Sequence, residues 1–212
     1  CIGSKRDEII DILSRYASQG ITRIVALRGD LPSGAGAGSM GELNHADELV
    51  ALVRDRFGDG FHIEVAAYPE MHPQALSFER DLDNFKRKVE AGADSAITQY
   101  FYNADAYEHF SDACVRRGID IPIVPGIMPI TNFSNLVRFS DACGAEIPRW
   151  LRKRLEGFGD DVAAIRALGA EVVSKMCRRL LDMGAPGLHF YTMNQASPTL
   201  TIWDNLGLGP TA

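Results

Sequence analysis

Polar side chains of complementary type gather where apolar runs end. Arg28 and Asp30 follow Ile24-Val25-Ala26-Leu27, Tyr68, Glu70 and His72 follow Ile63 to Ala67, Thr98 and Gln99 close Ser95-Ala96-Ile97, and Asn194 with Gln195 follows Gly187 to Thr192. Opposite charges and amides placed this way suit the binding of a polar ligand and the steering of charge during a reaction. In a parallel α/β barrel the C-terminal strand ends form the catalytic face. Any strand can end in a polar loop, so the reading rests on the strand ends taken together. A second signal lies between Glu79 and Ala91, where Asp81, Asn84 and Lys88 share one stripe at about 100° per residue, beside the apolar stripe of Leu82, Phe85 and Val89 and with Arg87 at its margin. Such charges are ordinarily a solvated face. Asn84, a poor helix former set between opposite charges, points instead to a polar ligand.

These residues need a scaffold, and the chain spells one out. An N-cap pattern at Ser4 leads into Ile9, Ile10, Leu13, Tyr16 and Ala17 at helical spacing, and Gly20 stops that helix. The uninterrupted run Ile24 to Leu27 predicts a strand covered on both faces. A glycine-rich loop from Ser33 to Gly41 follows, then a helix bearing Leu49, Val50, Leu52, Val53 and Phe57. Strands are predicted at 63–68, 95–101, 121–127 and 187–192, and helices at 79–91, 104–117, 132–142, 148–158 and 161–183. The tail is predicted to pack through Trp203. Alternating strands and helices argue for a parallel α/β sheet with helices outside it. The fold class is a TIM (β/α)8 barrel in one domain, 1–212, lacking roughly the first three strands. At about 30 residues per unit, roughly 90 residues upstream of Cys1 are expected.

Composition narrows the partners. A formal net charge of −6 with no basic stripe disfavours nucleic acid. No apolar run reaches the roughly 20 residues of a membrane span, and no signal-peptide pattern opens the chain; a cytoplasmic location is expected. Cys1, Cys114, Cys143 and Cys177 have no metal-ligand spacing and read as reduced, buried thiols. His62 and His72 lack the paired spacing of a zinc site. No lysine falls at a strand end, which disfavours Schiff-base chemistry, and no G-x-S-x-G elbow is present. Gly36 to Gly41 spells G-x-G-x-x-G, but it stands too far beyond the strand for a dinucleotide fingerprint and reads as a lid or surface loop. Arg28-Gly29-Asp30 runs off a core strand and does not read as an exposed adhesion tip.

The blocks Ala26 to Pro32, Ala66 to Pro73, Ala96 to Gln99, Pro125 to Ile130 and His189 to Asn194 resemble, in order, the strand-end motifs of methylenetetrahydrofolate reductases. The resemblance implies an FAD-dependent barrel that reduces 5,10-methylenetetrahydrofolate to 5-methyltetrahydrofolate, with NADH or NADPH as co-substrate in a ping-pong cycle, within one-carbon and methionine metabolism. It implies flavin contacts at Arg28, Gly29, Asp30, Ala46, Tyr68, His72, Ala75, Asp81, Asn84, Arg87 and Lys88. It implies catalytic roles for Asp30, whose carboxylate favours a cationic folate iminium, and for Gln99, which meets folate and nicotinamide in turn. Asp30, Gln99, Phe139 and Gln195 are the implied substrate contacts. Where the family commonly carries Arg, this chain has Gln195, which hydrogen-bonds a folate carboxylate without neutralising it, and Asn135 stands where a bacterial pattern has Gln. The implied general acid, a glutamate on the first barrel strand, is not in this sequence. An inactive chain is therefore expected until upstream residues are restored, with a homo-oligomer when complete. The alternative is a non-catalytic remnant that keeps a ligand-binding or assembly surface.

Overall fold

The computed structural model describes residues 1–29 and 41–209. Asp30, Pro32 and the glycine-rich loop up to Met40 lie outside the described residues. Five parallel strands, β1 (Arg23–Ala26), β2 (His62–Ala67), β3 (Ser95–Tyr100), β4 (Ile123–Ile127) and β5 (His189–Phe190), form one sheet in sequence order. Helix α1 (Arg6–Ser18) precedes it, α2 (Ala46–Phe57), α3 (Phe78–Glu90) and α4 (Ala104–Arg116) follow the first three strands, α5 (Phe133–Cys143), α6 (Arg149–Gly157) and α7 (Val162–Asp182) follow β4, and α8 (Ala196–Asn205) follows β5. This is the strand-and-helix succession of a partial barrel, and strand order equal to chain order puts every strand end on the same edge.

Local chemistry sets the boundaries. Ser77, Asn103, Asn132 and Asp161 each accept a backbone N–H in the first turn of α3, α4, α5 and α7. Helix α1 begins one residue later than expected: Lys5 is its N-cap, and the Glu8 carboxylate accepts the Lys5 N–H at 3.1 Å. Alternation along β2 buries Ile63, Val65 and Ala67 and leaves His62, Glu64 and Ala66 partly open. Arg54 fastens α2 to the residues before β2 and β3 by donating to the carbonyls of Phe61 and Gly92 and to Asp94 Oδ2 at 2.6 Å.

The β3–β4 register slips: Ile97 pairs with Val124, but Tyr100 pairs with Gly126, so three residues of β3 span two of β4. The bulge is held by Thr98, fully buried, whose Oγ1 accepts the Gly126 N–H at 2.8 Å. Tyr191 covers it by donating its hydroxyl to the Thr98 carbonyl at 2.9 Å. A Cβ on residue 126 would lie 2.1 Å from the Thr98 oxygen and 2.6 Å from Tyr191 Cε2, so only glycine fits. Such a bulge re-aims the side chain at the strand end, here Gln99.

Four expectations are corrected. Strand β1 is not covered on both faces: Ala26 is buried on one face, whereas Val25 and Leu27, on the other, are 49% and 47% exposed. The last strand is shorter than 187–192. The Tyr191 N–H still reaches the Ile127 carbonyl, but Met193 and Asn194 take φ of 48° and 60° and turn the chain away. That turn starts α8, which was not anticipated, and Trp203 on it is 40% exposed rather than packed. Cys114 and Cys177 are buried thiols as expected, whereas Cys1 and Cys143 are only partly covered.

Candidate functional site

Arg28, Gly29, Ala46, Tyr68, His72, Ala75, Asp81, Asn84, Arg87 and Lys88 line one cleft of about 360 Å³ across the ends of β1 and β2 and along α3. Asp30, expected with them, lies outside the described residues. Helix α3 presents Leu82 and Phe85 to the core, which turns the neighbouring stripe of Asp81, Asn84 and Lys88 toward the cleft. The loop from β2 is tied down at both ends. The Asp81 carboxylate accepts the His72 N–H at 2.7 Å, and Glu70 Oε2 accepts the Glu146 N–H at 2.8 Å. Between these ties Met71 holds φ at 112°, an unfavourable conformation for a side-chain-bearing residue that the two anchors maintain. The His72 Nδ1 accepts the Gln74 N–H at 3.0 Å, so the neutral ring carries its proton on Nε2. Tyr68 meets the His72 ring edge to face, with centroids 4.6 Å apart.

Charge in the cleft is mixed, with cations in excess among the described residues. Arg28 makes no ion pair among the described residues, and its Nε donates to the Gly29 carbonyl. Arg87 donates to Asn84 Oδ1 and approaches Asp47 at 4.0 Å. Lys88 reaches back from α3 to donate its ammonium to the Ala66 carbonyl at the end of β2. Burial lowers its pKa to about 8, opposed by the nearby carboxylates of Asp81 and Asp47. Burial raises the pKa of Asp81, opposed by its bond from His72 and by Lys88. An anion entering here finds guanidinium and ammonium donors, with carboxylate and amide groups for hydroxyls beside them.

Gln99 lies elsewhere. It lines a small neighbouring cavity with Glu70, Tyr100 and Cys143, and shares Tyr68 with the larger cleft. Its Oε1 accepts the Tyr100 N–H at 3.0 Å, leaving its amide donors available. Burial lifts the Glu70 carboxyl to about 7, against the stabilising Glu146 N–H. Gln195 lines a third cavity, bounded by the residues after β4, α7 and the start of α8. Phe139, on α5, is partly buried under Arg138 and lines none of these three cavities. Sequence reasoning missed His45, Asp47 and Gln74 in the larger cleft. Asp47 carried a signal, as an acid in the first turn of α2, whereas Gln74 enters only through the path of the β2 loop.

The sequence profile of the family described as methylenetetrahydrofolate reductase matches residues 1–207. The 5,10-methylenetetrahydrofolate reductase of Escherichia coli (strain K12) is 43% identical over 210 residues, 99% of this chain and 69% of its own length. The protein of the same name from Buchnera aphidicola subsp. Acyrthosiphon pisum is 39% identical over 208 residues, 98% of this chain and 69% of its own. Among solved structures, a Clostridium thermocellum protein that binds two copies of 5-methyl-5,6,7,8-tetrahydrofolic acid superposes with a TM-score of 0.57 at 18% identity, covering 88% of this chain and 72% of that one. At that identity the likeness is one of fold.

Proposed function

This chain belongs to the methylenetetrahydrofolate reductase family, and from that premise we propose that it takes part in FAD-dependent reduction of 5,10-methylenetetrahydrofolate to 5-methyltetrahydrofolate with NADH or NADPH as donor. The observation that carries the cofactor is the convergence of Arg28, Arg87 and Lys88 with Asp81, Asn84 and Tyr68 on one cleft. The donor set fits FAD: the cations suit a diphosphate, Asp81 and Asn84 suit ribityl hydroxyls, and Tyr68 offers a flat wall. When bound, FAD supplies a two-electron carrier between the donor and the folate. Lys88 and Arg87 hold and neutralise the cofactor's anionic portion. Gln99, aimed by the β3 bulge, presents its amide to whichever substrate occupies the neighbouring space, which suits two substrates that take turns in a ping-pong cycle. Asp30 retains its proposed role of favouring positive charge on the folate.

No general acid is assigned among these residues. The exposure of Val25 and Leu27 and, among the described residues, the one-sided pairing of β1 favour a second reading, in which this chain binds ligands without turning them over. Reconstitution of the purified protein with FAD tests both. Retention of flavin absorbance after desalting, followed by bleaching with NADH and recovery of colour on adding methylenetetrahydrofolate, supports the reductase. Retained flavin that neither bleaches nor recovers supports the binding remnant. Failure to retain flavin under any condition overturns the cofactor assignment.

A further inference from the structure

Glu70 borders no part of the flavin cleft, yet it belongs to the loop that builds one of its walls. The segment between β2 and α3 supplies Tyr68, His72, Gln74 and Ala75 to that cleft, whereas Glu70 and Met71 line the smaller cavity that holds Gln99. Such a change of side needs fixed points. Met71 keeps its φ of 112° between two of them. The His72 N–H is accepted by Asp81 at 2.7 Å, and Glu70 Oε2 accepts the Glu146 N–H at 2.8 Å, from 76 positions away in the chain.

The donor that Glu70 grips is firmly placed. Ala145 and Ile147, on either side of Glu146, are both buried. Gly144 ends α5 at a φ of 74°, and a Cβ on it would lie 2.9 Å from Pro73 Cγ, so the same junction packs directly against the β2 loop. Earlier on α5, the buried Ser140 shares a hydrogen bond of 3.1 Å with the Tyr100 hydroxyl, which ties this helix to the end of β3. Glu70 faces Glu146, Tyr100 and Cys143, and among the described residues no cation lines its cavity, so its bond to the backbone places the loop rather than pairing charge. We propose that Glu70 is a positioning residue for the flavin site: through the Glu146 N–H it locks the β2 loop onto the end of α5 and so sets Tyr68 and His72 at the cleft wall. The inference rests on the flavin reading above and extends it to a side chain outside the cleft.

The test compares Glu70→Gln, which keeps the acceptor, with Glu70→Met, which keeps the length of the side chain and removes it. Two measurements are made at pH 6, where the native carboxyl is largely neutral and differs least from the amide: the dissociation constant for FAD, well below the melting temperature, and amide hydrogen exchange of the flavin-free chain. Glu70→Met is expected to weaken FAD by about threefold to fivefold, the range of one hydrogen bond between uncharged groups, and to speed exchange at Glu146 and across residues 69–75. Glu70→Gln is expected to stay within about twofold of the native chain in affinity, with native exchange. A Glu70→Met chain that melts earlier but binds FAD as the native chain does makes Glu70 a stability residue only and overturns the proposal while the flavin reading stands. Equal weakening in both variants overturns it too, since the acceptor is then irrelevant. Native exchange in Glu70→Met removes the clasp itself, whatever FAD does. If the native chain binds no FAD, the flavin reading falls and the positioning role falls with it.

Discussion

Lys88 offers the sharpest test of the flavin cleft, because its proton should report on the ligand. Without an anion beside it, burial holds the ammonium at a pKa of about 8, against an ordinary value of 10.5. An adjacent diphosphate favours the charged form and returns the pKa toward the ordinary value. Binding above pH 8 then requires proton uptake. With those two limits, the affinity for FAD falls roughly tenfold between pH 7 and pH 9, and the full coupling corresponds to about 3 kcal/mol. The ligand-free chain should show the opposite trend. A lysine whose folded pKa is depressed makes the unfolded state bind more protons between pH 8 and 10.5, so its contribution to stability rises with pH through that window.

Quenching of FAD fluorescence, titrated at half-unit steps from pH 7 to 9.5, measures the first effect, and urea melts over the same range measure the second. Lys88→Met is the control, since ionisation of the flavin and of other side chains is common to both proteins. Native binding should weaken more steeply with pH than that of Lys88→Met, and native stability should gain on the variant as pH rises. Parallel pH profiles in both assays would refute the reasoning and remove Lys88 from the diphosphate site.

Two structural predictions follow from the same strand ends. Gly126→Ala should destabilise the fold by more than about 3 kcal/mol, because the new Cβ collides with the Thr98 carbonyl and the Tyr191 ring; a thermal melt within a few degrees of the native chain would contradict the bulge geometry. Glu70, lifted to about 7 by burial, contributes stability that is fully present below its unfolded value and lost as pH rises through about 7. Glu70→Gln keeps an acceptor for the Glu146 N–H and removes the charge. It should be more stable than the native chain by about 1 to 2 kcal/mol at pH 8, after allowance for partial solvent access, with the difference gone near pH 4.5. Denaturant midpoints at the two pH values check it, and a constant difference would point to packing rather than charge.

What the sequence disclosed and what it withheld divide along a physical line. Local patterns were legible: the 3.6-residue period of α3 placed Asp81, Asn84 and Lys88 on one face, and that face does border a cleft. Alternation and runs located the strands, because hydrophobic periodicity is set by neighbours in the chain. Coverage by other strands was not legible. Ile24 to Leu27 has the composition of a buried strand, yet Val25 and Leu27 are open, since burial depends on what packs over their face of the sheet. Helix α8 was missed because two consecutive left-handed residues, Met193 and Asn194, redirect the chain just before it, and neither is the glycine that normally marks such a turn. The β3 bulge was equally hidden. It exists because Thr98 Oγ1 takes a hydrogen bond from Gly126, a pairing across 28 positions that no local period encodes. The residues of a site can thus be named from strand ends, whereas the bulge that reshapes one of those ends emerges only from packing across the sheet.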